Sequence, residues 1–97
     1  MSSETLHAPR ENLSKETLDQ HRAITSLIEE LEAVDWYRQR ADDCSDGDLK
    51  EILLHNMAEE IEHAAMILEW IRRNNAVFEK ELRENLFKDG PISGHHG

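Results

Sequence analysis

The sequence predicts an all-α protein: an antiparallel two-helix hairpin plus a short C-terminal helix, two copies of which pair into a four-helix bundle. Three observations carry this. Two long stretches, Ser14 to Asp42 and Asp48 to Arg73, repeat their apolar residues with helical period and contain neither glycine nor proline. Between them, Asp43-Cys44-Ser45-Asp46-Gly47 is a polar break of the length that joins antiparallel helices. Each apolar stripe is also narrow, and a 97-residue chain with narrow stripes encloses too little core to dispense with a partner.

The elements follow in order. Residues 1–12 are polar, contain Pro9 and carry no period, so a flexible N-terminal arm is expected there. Ser14 is placed to cap the first helix, with Glu16 in its first turn favouring the helix dipole. The stripe of this helix is Ala23, Ile24, Leu27, Ile28, Leu31, Val34 and Ala41. Glu30 and Tyr37 lie in line at its edge, and Glu29, Glu32 and Trp36 lie on the opposite side. Asp48 with Glu51 resembles a capping box for the second helix, which closes on the basic pair Arg72-Arg73. Asn74-Asn75 breaks it. A shorter amphipathic helix with Val77, Phe78, Leu82 and Leu86 follows and stops before Gly90-Pro91. The domain is therefore expected over residues 13–91, with 92–97 a tail whose His95 and His96 are given no role.

Composition narrows the function. Charged residues are 33% and hydrophobic ones 38%, with a net charge of -10. That balance argues against nucleic acid and against anionic membrane surfaces, and it is compatible with attracting cations. No apolar run approaches ~18 residues, so neither a signal peptide nor a membrane span is expected. The one cysteine, Cys44, cannot form an internal disulfide, which fits a reducing compartment. A soluble, cytoplasmic protein is the expectation.

The second helix holds the informative stretch. Its stripe runs Leu49, Leu53, Met57, Ala64, Ile67, Leu68, Ile71, and Glu60 stands in the middle of it where a leucine would be expected. His63 lies about 60° to one side on the same face. A carboxylate on a dry face is costly unless compensated. Glu-x-x-His pointing into a bundle is the ligand pair of ferritin-like di-iron proteins, which take one lone Glu from each of two helices and this pair from each of two others. One chain supplies half of that set, Glu30 with Glu60 and His63. A two-fold homodimer supplies it all: four carboxylates and two imidazoles, with the four negative charges balancing two Fe²⁺. Metal binding and dimer formation are then coupled, because the carboxylates repel until cations join them.

Blander readings stand beside these. A lone Glu in a stripe is usually a boundary or partnered residue; Glu30, Glu60 and His63 together, all facing inward at ligand spacing, turn the balance. Tyr37 serves as core, or hydrogen-bonds a ligating carboxylate. Glu29 and Glu32 beside Trp36, and the row His55, Glu59, Glu62, read from spacing alone as solvated helix faces more readily than as outer cation sites. Trp36, a large aromatic among acids, suggests a second subunit contact. At the level of function, an iron-oxidising enzyme competes with a non-catalytic, metal-stabilised helical interaction module.

The segments Glu29-Glu30-Leu31-Glu32-Ala33-Val34-Asp35-Trp36-Tyr37 and Glu59-Glu60-Ile61-Glu62-His63-Ala64-Ala65-Met66-Ile67-Leu68-Glu69-Trp70 resemble the encapsulated ferritins, over roughly Leu13 to Pro91. The resemblance implies a ferritin-like bundle in which two chains complete one ferroxidase centre with two iron ions per dimer. It also implies a ring-shaped decamer of five dimers that oxidises Fe²⁺ and passes iron to a surrounding encapsulin shell, a nanocompartment of the cytoplasm. Carried over by position, Glu30, Glu60 and His63 are the iron ligands and Trp36 and Tyr37 the aromatic pair near them. Glu29 and Glu32 match a site where cations come in, and His55, Glu59 and Glu62 a peripheral metal site; Ca²⁺ or other divalent cations would suit both. Family members often carry a C-terminal linker ending in an apolar encapsulin-docking peptide, and this sequence, which stops at Gly97, departs from that pattern.

Overall fold

A computed structural model of the chain describes residues 6–94; residues 1–5 of the expected arm and 95–97 of the tail, His95 and His96 included, lie outside the described residues. Among the described residues there are three α-helices and no strand: α1 (Lys15–Asp43), α2 (Gly47–Arg73) and α3 (Ala76–Asn85). A 3-10 turn, Arg10–Asn12, precedes them inside the stretch expected as an arm. Pro9 opens that turn, its carbonyl accepting from the Asn12 N–H at 2.9 Å.

Each helix start has an identifiable cap. Ser14 Oγ accepts from the Thr17 N–H at 3.1 Å and sets the start of α1. For α2 the expected cap is corrected. Asp46, not Asp48, occupies the N-cap, accepting from the Asp48 N–H at 3.2 Å, and Asp48 sits inside the first turn. The reason is the short connection: Cys44 to Asp46 is all that separates the two helices, so α2 begins one residue after Asp46, at Gly47. Asn74 closes α2, its Nδ2 donating to the Trp70 carbonyl at 2.8 Å, and Asn75 Oδ1 caps α3 through the Phe78 N–H at 2.9 Å.

α1 and α2 pack antiparallel in one register along their whole length. Gln20 Nε2 donates to the Asn74 carbonyl at 2.9 Å near one end, and Glu30 faces His63 in the middle. A two-helix layer can bury only the line where the helices touch. Among the described residues only Ala41, Ala64 and Ile71 are buried, and Ile71 is 0% exposed. Ile24, Leu31 and Leu49, expected in the stripes, are exposed in the single chain, as are Ile52, Leu54, Ile61 and Met66. The radius of gyration is 17.2 Å, against about 12–13 Å for a compact domain of this length. The accessible surface is 7583 Å², against about 5,700 Å² for a folded monomer of this mass. The surplus is on the scale of what one chain buries in an obligate assembly. Among the described residues no helix is long and apolar enough to cross a membrane.

Candidate metal centre

Glu60 stands three turns before Ile71 on the α2 row that meets α1, so the fold carries its carboxylate to the helix–helix seam. His63 follows by three residues, placing its ring beside Glu60 on the flank of the seam. The antiparallel register brings Glu30 of α1 opposite both. His63 Nδ1 lies 3.6 Å from Glu30 Oε2 and 3.7 Å from Glu60 Oε2. Both separations are too long for hydrogen bonds. Glu30 Oε2 is buried and has no hydrogen-bond partner. The side chains are 24%, 25% and 44% exposed for Glu30, Glu60 and His63, so the cluster is shielded on one side and open on the other.

One donor atom from each of these three residues lies within 4.8 Å of the other two. Two donors about 2.1 Å from a shared ion stand no more than about 4.2 Å apart. The two measured edges fit that limit as they are. Two oxygens and one nitrogen form a donor set that suits iron and leaves positions open on the exposed side. A buried carboxylate oxygen without a donor is a group that a cation would satisfy and that is costly to leave alone. The residues present therefore fit a metal ion.

The other expected residues fall outside this cluster. His55 Nε2 and Glu59 Oε1 pair at 3.3 Å on the exposed face of α2. Glu62 instead lines a surface groove with Met66, Glu69 and Trp70. Among the described residues no three donors other than Glu30, Glu60 and His63 come together. Glu29 is exposed and Glu32 half-buried, and Trp36 is 50% exposed on the same flank of α1. Tyr37 is half-buried two turns from Glu30, about 10 Å along the axis, with the Arg40 guanidinium 5.6 Å over its ring. Sequence reasoning overlooked Gln20, whose Oε1 is also buried without a partner. Its signal was a polar side chain on the helix face that packs against the end of α2.

Comparison with known proteins bears on this site. The sequence matches the EncFtn-like family over residues 5–89. It is 56% identical over 92 residues to the "Encapsulated ferritin-like protein" of Rhodospirillum rubrum, covering 95% of this chain and 66% of that protein. It is 48% identical over 87 residues to the "Ferritin-like protein" of Thermotoga maritima, covering 90% of this chain and 76% of the relative. The chain thus spans about two thirds to three quarters of the length of these relatives. A crystal structure of a protein from Nitrosomonas europaea is similar with a TM-score of 0.87 and 58% identity, covering 91% of this chain and 97% of that one.

Proposed function

The chain belongs to the EncFtn-like family, and from that premise we propose that it is a ferroxidase, with Fe²⁺ as substrate and an iron site completed by a second copy of the chain. The observation that carries the proposal is the buried, unpartnered Glu30 Oε2 facing His63 and Glu60 across the hairpin. Half a site on an open, surface-rich hairpin asks for the other half. Two chains related by a two-fold axis bring four carboxylates and two imidazoles to one seam and bury the apolar residues that a single chain leaves out.

In this reading Glu30 and Glu60 bind and charge-balance Fe²⁺, and His63 supplies the nitrogen donor. Two Fe²⁺ give up one electron each. Dioxygen takes both, with two protons, to give hydrogen peroxide; alternatively peroxide takes them, with two protons, to give two waters. Carboxylates favour the ferric product, because a hard, more highly charged cation gains most from anionic oxygen donors. Glu29 and Glu32 beside Trp36 are proposed as the place where cations come in, and His55, Glu59 and Glu62 as a peripheral site for divalent cations. Trp36 and Tyr37 are proposed to flank the iron. A relative named for being encapsulated supports an encapsulin shell as a partner; that the shell receives the iron, and that five dimers assemble into a decameric ring, is proposed from the sequence resemblance alone.

Anaerobic loading with Fe²⁺ followed by air tests the activity. A ferroxidase shows ferric absorbance growing well past two irons per dimer. A metal-stabilised scaffold takes up its complement of iron and stops there, and that result would replace the enzyme with an interaction module.

A further inference from the structure

α3 is attached to the hairpin in an unusual way. None of its residues is buried; Val77 and Phe78 are exposed, as is Leu86 just after its end. Between α3 and α2 lies an open groove of about 630 Å³, whose apolar lining is Ala65, Leu68, Leu82, Leu86 and Phe87 and whose rim is charged, with Glu69, Arg72 and Arg83 among it. Apolar packing of the kind that joins α1 to α2 is therefore thin here. What crosses the gap is ionic. Glu69 Oε1 and Oε2 accept from Arg72 Nε and Nη2 at 2.7 and 2.8 Å, and Glu69 Oε2 also accepts from Arg73 Nε at 2.7 Å. Arg72 then reaches over to α3, its Nη1 donating to Glu79 Oε1 at 3.1 Å. Glu79 Oε1 also accepts from Arg83 Nε, one turn on. The spanning pair is partly sheltered, Arg72 and Glu79 being 30% and 28% exposed, whereas the Lys80–Glu84 pair within α3 is well out in solvent.

We propose that α3 is a releasable strap, held to α2 by the ion-pair chain Glu69–Arg72–Glu79–Arg83 and freed by salt, which widens the open groove beside Ala65 and uncovers the half-buried Leu68 at its floor. Arg72 is the pivot: Glu69 fixes its guanidinium in the orientation that meets Glu79. The arginine hydrogen bonds hold the Glu69 carboxyl down to about 2, so that this end of the chain stays ionised well into the acid range. Screening supplies the release. Exposed charges interact over about 10 Å at 0.1 M salt and about 3 Å at 1 M. The sheltered Arg72–Glu79 pair is screened less than a surface pair, but with 30% and 28% of its side chains in water it still weakens with salt where an apolar link does not.

Hydrogen exchange of the full chain at about 0.05 M and 1 M sodium chloride tests this. The strap predicts that amides of Phe78 to Leu86 lose roughly tenfold or more of their protection in high salt, while those around Glu30 and His63 keep theirs. Glu79→Gln should reproduce the loss at low salt, and Lys80→Gln, which breaks only pairs within α3, with Glu81 and Glu84, should not. The proposal is overturned if α3 protection is indifferent to salt, if α3 is unprotected even at low salt, or if Leu82→Ala releases it while Glu79→Gln leaves it docked.

Discussion

His63 Nδ1 faces Glu30 Oε2 across the α1–α2 seam at 3.6 Å, close enough to share an ion and too far to share a proton. Glu60, one turn before His63, completes the set at 3.7 Å from the same nitrogen. These three side chains are the only place among the described residues where three ligand atoms converge. Ligation rather than folding is thus what these residues are expected to serve.

Glu60→Gln, Glu60→Ala and His63→Ala should each lower the initial rate of iron oxidation at least about tenfold. Far-ultraviolet circular dichroism should show the helices intact. Glu62→Ala, one residue along and outside the cluster, should lie close to the parent rate. Glu60→Ala oxidising iron at the parent rate while Glu62→Ala does not would remove Glu60 from the site.

Association should depend on metal. Two copies of Glu30 and Glu60 brought to one seam repel, and cations reverse the sign. Native mass spectrometry is expected to show larger species with added Fe²⁺ or another divalent ion and smaller ones after chelation. Identical assemblies under both conditions would contradict the coupling.

Trp36 is 50% exposed on the flank of α1 carrying Glu29 and Glu32. A tryptophan left half in water on a chain that buries so little is expected to anchor a second contact, where truncation of such residues costs about 2 kcal/mol or more. Trp36→Ala should shrink the assembly to a dimer or smaller, measured by light scattering. A large oligomer of unchanged size would rule the contact out.

Much of this was legible in the sequence, and the exceptions have physical causes. The helices and their breaks showed because Ser14, Asn74 and Asn75 punctuate long periodic runs. Glu60 and His63 showed because a carboxylate interrupts an apolar row. The α2 cap was misassigned because Asp46 and Asp48 are both good caps, and only the three-residue connection decides between them. Arg72 and Arg73 read as dipole partners; that Arg72 also bridges two helices through Glu79 depends on how α3 folds back, which no periodicity records. Ile24, Leu31 and Leu49 read as core, and one chain alone cannot cover them.

The Glu69 carboxyl titrates at about 2 in the folded chain instead of near 4.5, chiefly through hydrogen bonds from Arg72 and Arg73. A lowered folded value means that its contribution to stability is complete above about 4.5 and is lost as pH falls toward 2. Carbon-13 NMR of the Glu69 side chain should show that low midpoint in the parent and an upward shift in Arg72→Met. A parent midpoint at the ordinary glutamate value would show that the arginine clamp does not form in solution.

The central claim, that Glu30, Glu60 and His63 of two chains hold iron together, is tested most directly by anomalous diffraction at the iron edge from crystals soaked anaerobically in Fe²⁺. The account predicts two strong peaks per pair of chains, lying between the two sets of these residues and absent in Glu60→Ala. Iron found only on the outer rows, or bound within one chain with no second copy beside it, would contradict it.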